Sequence, residues 1–156
     1  ITYARCPGLT GYVAKNDMAK VPLLSLWMKR LYCLFINRDD VKEALKTILA
    51  GIDHIKNGIS MCIFPEGTRS RTGHMLPLLG GASLLALKSG CDVVPIYIEG
   101  SYKPFHRMIV HVGRPVEMTD LRAGRMNRET CDELTRRMEA EFAQLSGGKS
   151  LPPAEA

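Results

Sequence analysis

One short stretch of the chain gathers groups that could bind an anion. Residues 64–71 read Phe-Pro-Glu-Gly-Thr-Arg-Ser-Arg, which places one carboxylate, two hydroxyls and two guanidinium groups within eight residues. Guanidinium groups bind phosphate and carboxylate in a two-pronged fashion, and the glycine allows a sharp turn close to a ligand. This arginine turn (residues 64–71) predicts a phosphate or carboxylate site. The alternative is a solvated loop with two exposed arginines.

The residues before the arginine turn predict the element that positions it. Residues 59–63 form an almost wholly apolar run, which is typical of a buried strand. Pro65 ends that strand, because proline has no N–H group for the hydrogen-bond ladder. Open α/β sheets bind their ligands at the carboxyl ends of their strands, so we expect the arginine turn at such an edge.

Strands and helices alternate along the rest of the sequence. Apolar runs predict strands over residues 12–14, 32–36, 59–63, 93–98 and 108–112. Apolar residues at helical spacing predict helices over residues 18–31, 41–55, 82–88 and 127–145. The alternation predicts an α/β fold, with a mixed and largely parallel sheet covered by helices on both faces.

Length, charge and cysteine usage limit the classes of protein. The 156 residues suffice for one domain, which we assign to residues 1–146, followed by a flexible tail at 147–156. The net charge is +5 without a run of five like charges, which argues against a nucleic-acid partner and suits an anionic membrane surface or a phosphorylated substrate. The five cysteines are scattered without a Cys-x-x-Cys pair, which indicates reduced thiols and no metal site.

Residues 18–31 leave two interpretations open. The segment combines leucines and Trp27 with three cations, Lys20, Lys29 and Arg30, and amphipathic basic helices of this kind lie at membrane interfaces. A core helix with a charged rim has the same periodicity. In either case Pro22 would mark the start of a helix or a break.

The arginine turn resembles the third sequence block of the glycerolipid acyltransferases, the lysophosphatidic acid (1-acyl-glycerol-3-phosphate) acyltransferase family. Residues 34–38, Leu-Phe-Ile-Asn-Arg, resemble the second block, and residues 93–98, Val-Val-Pro-Ile-Tyr-Ile, resemble the fourth. The segment from Tyr12 to Trp27 resembles the stretch between the first and second blocks. The matches follow the family's order over residues 12–113 and imply a fold like that of glycerol-3-phosphate acyltransferase.

This resemblance implies an acyltransferase of phospholipid biosynthesis. A fatty acyl group would move from acyl-CoA or acyl carrier protein to a lysophospholipid, 1-acyl-glycerol-3-phosphate, giving phosphatidic acid. The acyl donor would be the only co-substrate, without a further cofactor or a metal. The enzyme would work in association with a membrane, at its cytoplasmic face.

The resemblance also assigns residues to the substrate's phosphate. Arg69 matches the main phosphate ligand, and Arg38, from the second block, matches a further one. Thr68 and Ser70 would add hydroxyl groups to the same phosphate site, whereas Arg71 would be a solvated charge at its rim.

Further positions correspond to the reacting end of the substrate. Glu66 matches the group that orients the glycerol, and Gly67 allows close approach of the backbone, so we assign these two residues to the catalytic part of the site. Pro65 and Pro95 would shape the site for the acyl chain and its surrounding structure.

The family's first block, a histidine and an aspartate separated by four residues (His-x4-Asp), supplies the general base and the carboxylate that holds its tautomer. None of the histidines has an aspartate at that spacing; they are His54, His74, His106 and His111. In the family the block precedes the strand at Tyr12. We therefore expect it upstream of Ile1, and we expect the chain, truncated at its N-terminus, to be inactive alone.

Two other classes of function compete with the acyltransferase. A non-catalytic phosphate- or lipid-binding module of the same fold would keep the arginine turn and lack the base. A nucleotide-binding α/β domain is disfavoured, because the chain has neither a Gly-x4-Gly-Lys loop nor a Gly-x-Gly-x-x-Gly turn.

Overall fold

The computed structural model describes residues 8–37, 40–68, 70, 74–100 and 107–148. The strands are β1 (Thr10–Lys15), β2 (Leu34–Ile36), β3 (Ser60–Cys62), β4 (Ile96–Gly100) and β5 (Met108–Val112). The helices are α1 (Pro22–Arg30), α2 (Val41–Lys56), α3 (Gly81–Ser89), α4 (Thr119–Ala123) and α5 (Arg128–Leu145), with a 3₁₀ helix at Asn16–Lys20. The chain forms two compact units, Ile1–Phe64 with Leu84–Ser89, and Pro65–Ser83 with Gly90–Ala156. The assignment of residues 1–146 to one domain stays a prediction.

The first unit contains a parallel sheet of three strands in the order β2-β1-β3. The connection from β1 to β2 runs through α1, and the connection from β2 back across β1 to β3 runs through α2. Because such crossovers are right-handed, two crossovers in opposite directions place their helices on opposite faces of the sheet. The predicted α/β fold, with a parallel sheet and helices on both faces, is confirmed.

Local sequence signals set the ends of the helices in this unit. Pro22 is the first residue of α1, as its fixed φ and missing N–H favour. The side chain of Asp40 caps α2 by accepting hydrogen bonds from the N–H groups of Lys42 and Glu43, and it satisfies two otherwise unpaired donors. Gly58 follows α2 with φ +80°, which glycine adopts without strain.

The centre of the sheet approaches the turn before β2 very closely. Tyr32 is the only non-glycine residue with a positive φ, +58°, among those that the structure describes. A Cβ atom added to Gly11 would overlap the carbonyl oxygen of Tyr32 and lie 3.0 Å from Sδ of Met61. The backbone at Tyr32 therefore fits against β1 only because position 11 lacks a side chain.

The second unit contains the antiparallel pair β4-β5 and two helices. Ile96 pairs with Val112, and Gly100 pairs with Met108. Helix α5 buries Leu134 and Met138. The Arg137 side chain of α5 forks onto Asp120 of α4, with nitrogen-to-oxygen distances of 2.7 and 2.6 Å.

Some predicted elements differ from the structure: the helix predicted over residues 18–31 is α1 at Pro22–Arg30, which follows a 3₁₀ helix at Asn16–Lys20. The predicted strand 32–36 begins at Leu34, because the left-handed backbone at Tyr32 is a turn. The predicted strand 93–98 begins at Ile96, although the carbonyl of Val93 still accepts a hydrogen bond from the N–H of Val116. Helix α4 was not predicted, because five residues are too few to show a helical period.

Candidate active site

The parallel sheet directs two of the sequence blocks to one edge. Tyr12 of β1 pairs with Cys62, the last residue of β3, and Lys15 pairs with Ile36, the last residue of β2. The carboxyl ends of parallel strands lie at the same edge of a sheet, where α/β proteins bind ligands. The chain thus leaves this edge twice, after residue 36 and after residue 62, as the sequence predicted.

The residues expected to bind the phosphate are described only in part. Arg38, Arg69 and Arg71 lie outside the described residues, so their shared role at a phosphate stays a prediction. Thr68 is exposed, which suits a hydroxyl that meets a ligand, and Ser70 is half-buried.

The arginine turn has the tight backbone that its glycine predicted. Pro65 and Glu66 form the turn itself. Gly67 follows with φ +72° and is buried. A side chain in this left-handed conformation would be strained, so the glycine is required by the backbone and not only by a nearby ligand.

The Glu66 carboxylate is held by the main chain. Its Oε2 atom accepts a hydrogen bond from the N–H of Leu76 at 2.9 Å. A carboxylate has about four lone-pair positions on two oxygens, so this contact fixes its direction and leaves acceptor capacity for a hydroxyl. The side chain is half-buried, which restricts its rotamers and suits an orienting role.

Residues 76–79, here the supporting segment, lie alongside the arginine turn. The N–H of Leu79 donates to the carbonyl of Pro65 at 2.9 Å, and Leu79 lies three residues after Leu76, which contacts Glu66. The N–H of Leu78 donates to Oε1 of Glu139 in α5 at 3.3 Å. The sequence analysis missed Glu139, because one glutamate on an amphipathic helix gives no signal of a tertiary contact.

Pro95 packs inside the second unit. Its side chain is fully buried, and its carbonyl accepts a hydrogen bond from the N–H of Gly113 at 2.9 Å. A Cβ atom on Gly113 would lie 2.8 Å from Cγ of Pro95. Pro95 is thus a packing residue of the second unit, and its predicted role at the acyl chain stays a prediction.

The histidines occupy different environments. His111 of β5 lies 3.3 Å from Oε2 of Glu99, ring nitrogen to carboxylate oxygen, and packs beside the Tyr97 ring. The Nδ1 atom of His54 is buried and has no hydrogen-bond partner among the described residues. His74 is exposed, and His106 lies outside the described residues.

Neither a metal centre nor a spanning helix is found in the part of the chain that the structure describes. Within it, no three side chains of the metal-binding types His, Cys, Asp and Glu come together. No helix among the same residues combines the length and apolar character needed to cross a bilayer.

Comparison with known proteins relates the chain to lipid acyltransferases. The 1-acyl-sn-glycerol-3-phosphate acyltransferase of Saccharomyces cerevisiae is 29% identical over 94% of this chain and 54% of its own length. The enzyme of that name from Salmonella typhimurium is 30% identical over 85% of this chain and 57% of its own. The chain thus spans about half the length of these curated relatives.

A solved structure shares the fold. The crystal structure of the 1-acyl-sn-glycerophosphate (LPA) acyltransferase PlsC from Thermotoga maritima superposes with a TM-score of 0.65 at 21% identity, over 90% of this chain and 57% of that one. The family model described as Acyltransferase matches residues 1–99, which include β1 to β3, the arginine turn and most of β4. The chain therefore belongs to the Acyltransferase family.

Proposed function

We propose that the protein transfers a fatty acyl group from an acyl thioester to the free hydroxyl of 1-acyl-glycerol-3-phosphate, giving phosphatidic acid for phospholipid biosynthesis. The observation that carries this proposal is the arginine turn, in which the main chain orients Glu66 beside a left-handed Gly67. Family membership and the names of the relatives support the same reaction.

The reaction needs little from the protein beyond positioning and one proton transfer. The acceptor oxygen forms a bond to the thioester carbonyl carbon, the carbon–sulfur bond breaks, and the hydroxyl proton passes through a base to the leaving thiolate. Glu66 would orient the glycerol so that its hydroxyl faces the thioester, which is worth several powers of ten in rate when the geometry is right. The donor, acyl-CoA or acyl carrier protein, is the only co-substrate that this scheme requires.

Arg69 and Arg38 would bind the acceptor's phosphate. Each charge-assisted contact contributes roughly 1.5–3 kcal/mol, so two contacts change affinity by about 10²–10⁴. Thr68, which is exposed on the turn, and Ser70 would add neutral hydrogen bonds of smaller value.

Arginine substitutions test the proposal in the full-length protein. Arg69→Ala should lower kcat/KM for lysophosphatidic acid by about 10²-fold, from one lost charged contact and its positioning. Arg69→Lys should recover only part of this loss, because an ammonium cannot make the two-pronged contact. Arg128→Ala is the matched control, since that side chain is 94% exposed on α5. Kinetics within threefold of wild type for Arg69→Ala would refute the assignment.

A phosphate- or lipid-binding module without catalysis is the second candidate. It requires only the anion-binding groups of the arginine turn, which stand within residues 64–71. Lysophosphatidic acid binding by the full-length protein, with no phosphatidic acid formed from any thioester donor, would establish the module instead of the enzyme.

We also propose that α1 contacts a membrane surface. Leu23 is 84% exposed and Trp27 is 61% exposed on this helix, and Lys29 and Arg30 lie in its last turn. Exposed apolar side chains beside cations favour the interface of an anionic bilayer. The reduced cysteines that the sequence indicates are consistent with the cytoplasmic face.

The single tryptophan makes the membrane proposal easy to test. Trp27 is the only tryptophan among these 156 residues, so the emission that is lost in Trp27→Phe reports on α1. This emission should shift to the blue when anionic liposomes are added and return when salt is raised. Trp27→Ala combined with Lys29→Ala should reduce cosedimentation with the liposomes. Val41→Ala is the control, because Val41 is 81% exposed on the other crossover helix. Emission and cosedimentation unaffected by liposomes in the full-length protein would refute this proposal.

A further inference from the structure

We propose that Glu139 of α5 is a positioning residue for the arginine turn, and that it acts on Glu66 through the supporting segment. This inference rests on the proposed acyltransferase function and deepens it. It assigns a role to a residue that lies 40 positions beyond the end of the family match at residue 99.

The backbone N–H groups of the supporting segment connect Glu139 to Glu66. The N–H of Leu76 is bound to Oε2 of Glu66, the N–H of Leu78 to Oε1 of Glu139, and the N–H of Leu79 to the carbonyl of Pro65. Pro77 has no N–H group. Every donor of the segment is therefore used, two by the arginine turn and one by α5, so the segment couples the turn to the helix.

Helix α5 is well packed and can therefore hold the supporting segment in place. Leu134 and Met138 are buried on it, with exposed fractions of 0% and 2%. Thr135 lies one helical turn before Glu139, so the two side chains share a face. The Thr135 hydroxyl lies 2.7 Å from the hydroxyl of Ser83. One face of α5 thus holds both the supporting segment and Ser83, which belong to the same compact unit.

Loss of the Glu139 acceptor should disturb Glu66 more than it disturbs substrate binding. The N–H of buried Leu78 would lose its partner, and a buried donor without a partner drives local rearrangement. Leu76 is two residues away and holds the Glu66 carboxylate. A displacement of about 1 Å at a positioning group lowers rate by up to about 10²-fold, whereas the phosphate would still meet its arginines.

Two substitutions of Glu139 in the full-length protein distinguish a positioning role from a general effect on the fold. Glu139→Gln keeps an oxygen that accepts from Leu78, so its kcat should stay within about threefold of wild type. Glu139→Leu removes the acceptor, and its kcat should fall about 10–100-fold while KM for lysophosphatidic acid changes less than threefold. Glu141→Leu is the matched control and should match wild type.

Amide hydrogen exchange gives a readout that does not depend on the reaction. The N–H groups of Leu76, Leu78 and Leu79 should lose protection in Glu139→Leu and keep it in Glu139→Gln. Wild-type exchange in Glu139→Leu, or equal loss of kcat in the Gln and Leu variants, would overturn the inference. A wild-type protein without turnover would refute the proposed function alone, because the exchange pattern would still decide the role of Glu139.

Discussion

Gly11→Ala should destabilise the protein because its new methyl group meets main chain. The Cβ atom would overlap the carbonyl oxygen of Tyr32 and lie 3.0 Å from its carbonyl carbon. Met61 Sδ, also at 3.0 Å, ends a flexible side chain and can move away. The backbone at Tyr32 is held by hydrogen bonds from the N–H of Tyr32 to Lys29 and from the N–H of Cys33 to Met28, so it yields only by breaking them.

The expected effect follows from overpacking. Inserting a methyl group into a packed region costs typically about 1–3 kcal/mol, and we expect the upper part of this range because a carbonyl must move. At this chain length each kcal/mol lowers the melting temperature by about 2–4 °C. Gly11→Ala should therefore melt about 4–12 °C below wild type. Below its melting temperature, the variant should lose activity only if the displaced carbonyl also disturbs the sheet.

Two other glycines make a graded comparison in thermal and urea unfolding. In Gly51→Ala the methyl group would lie 2.7 Å from Cδ1 of Leu85, which can rotate, and alanine gains about 1 kcal/mol of helix propensity in α2. In Gly80→Ala it would meet no atom within 4 Å. We expect both variants within about 1 kcal/mol of wild type. If Gly11→Ala unfolds at the same urea concentration as Gly80→Ala, the argument from close approach is wrong.

Three further outcomes are expected. Gly67→Ala should lower both the melting temperature and kcat, because φ +72° costs a non-glycine residue about 1–2 kcal/mol; wild-type values for both would contradict this. The Arg137 hydrogen bonds lower the pKa of Asp120 from 3.8 to about 2, so the stabilisation is complete above about pH 4 and disappears as the pH falls through 2. The difference in urea midpoint between wild type and Asp120→Asn should follow that course, and a pH-independent difference would refute it. The polypeptide Ile1–Ala156, assayed alone, should give no turnover, since a positioned base is worth about 10²–10⁴ in rate; turnover equal to that of an upstream-extended form would show that the base lies within it.

Helices and strands with a clear apolar period could be predicted from the sequence, because the spacing of their apolar residues shows which face is buried. The apolar stripe of α2 and the capping residue Asp40 defined that helix, and the apolar run at Met108–Val112 defined β5. Tyr32 misled the prediction, because an aromatic residue before a strand looks like part of it. Its left-handed backbone lies close against Gly11, which is distant in sequence.

The candidate site was predictable where its residues are contiguous. Glu66 and Gly67 sit in a string specific enough to carry a family resemblance, and the left-handed φ of Gly67 agrees with the expected sharp turn. Glu139 could not be predicted, because a glutamate on an amphipathic helix is usually solvated. Only the fold brings its carboxylate to the N–H of Leu78.

The contact between α5 and the supporting segment also affects how the family can diverge. A main-chain N–H is supplied by any residue except proline, so the bond to Glu139 does not depend on which other side chain stands at position 78. Among homologues, positions 78 and 139 would then show no paired substitutions, even if they act together. The coupling would be visible in two preferences only: an oxygen-bearing side chain at position 139, and any residue but proline at position 78.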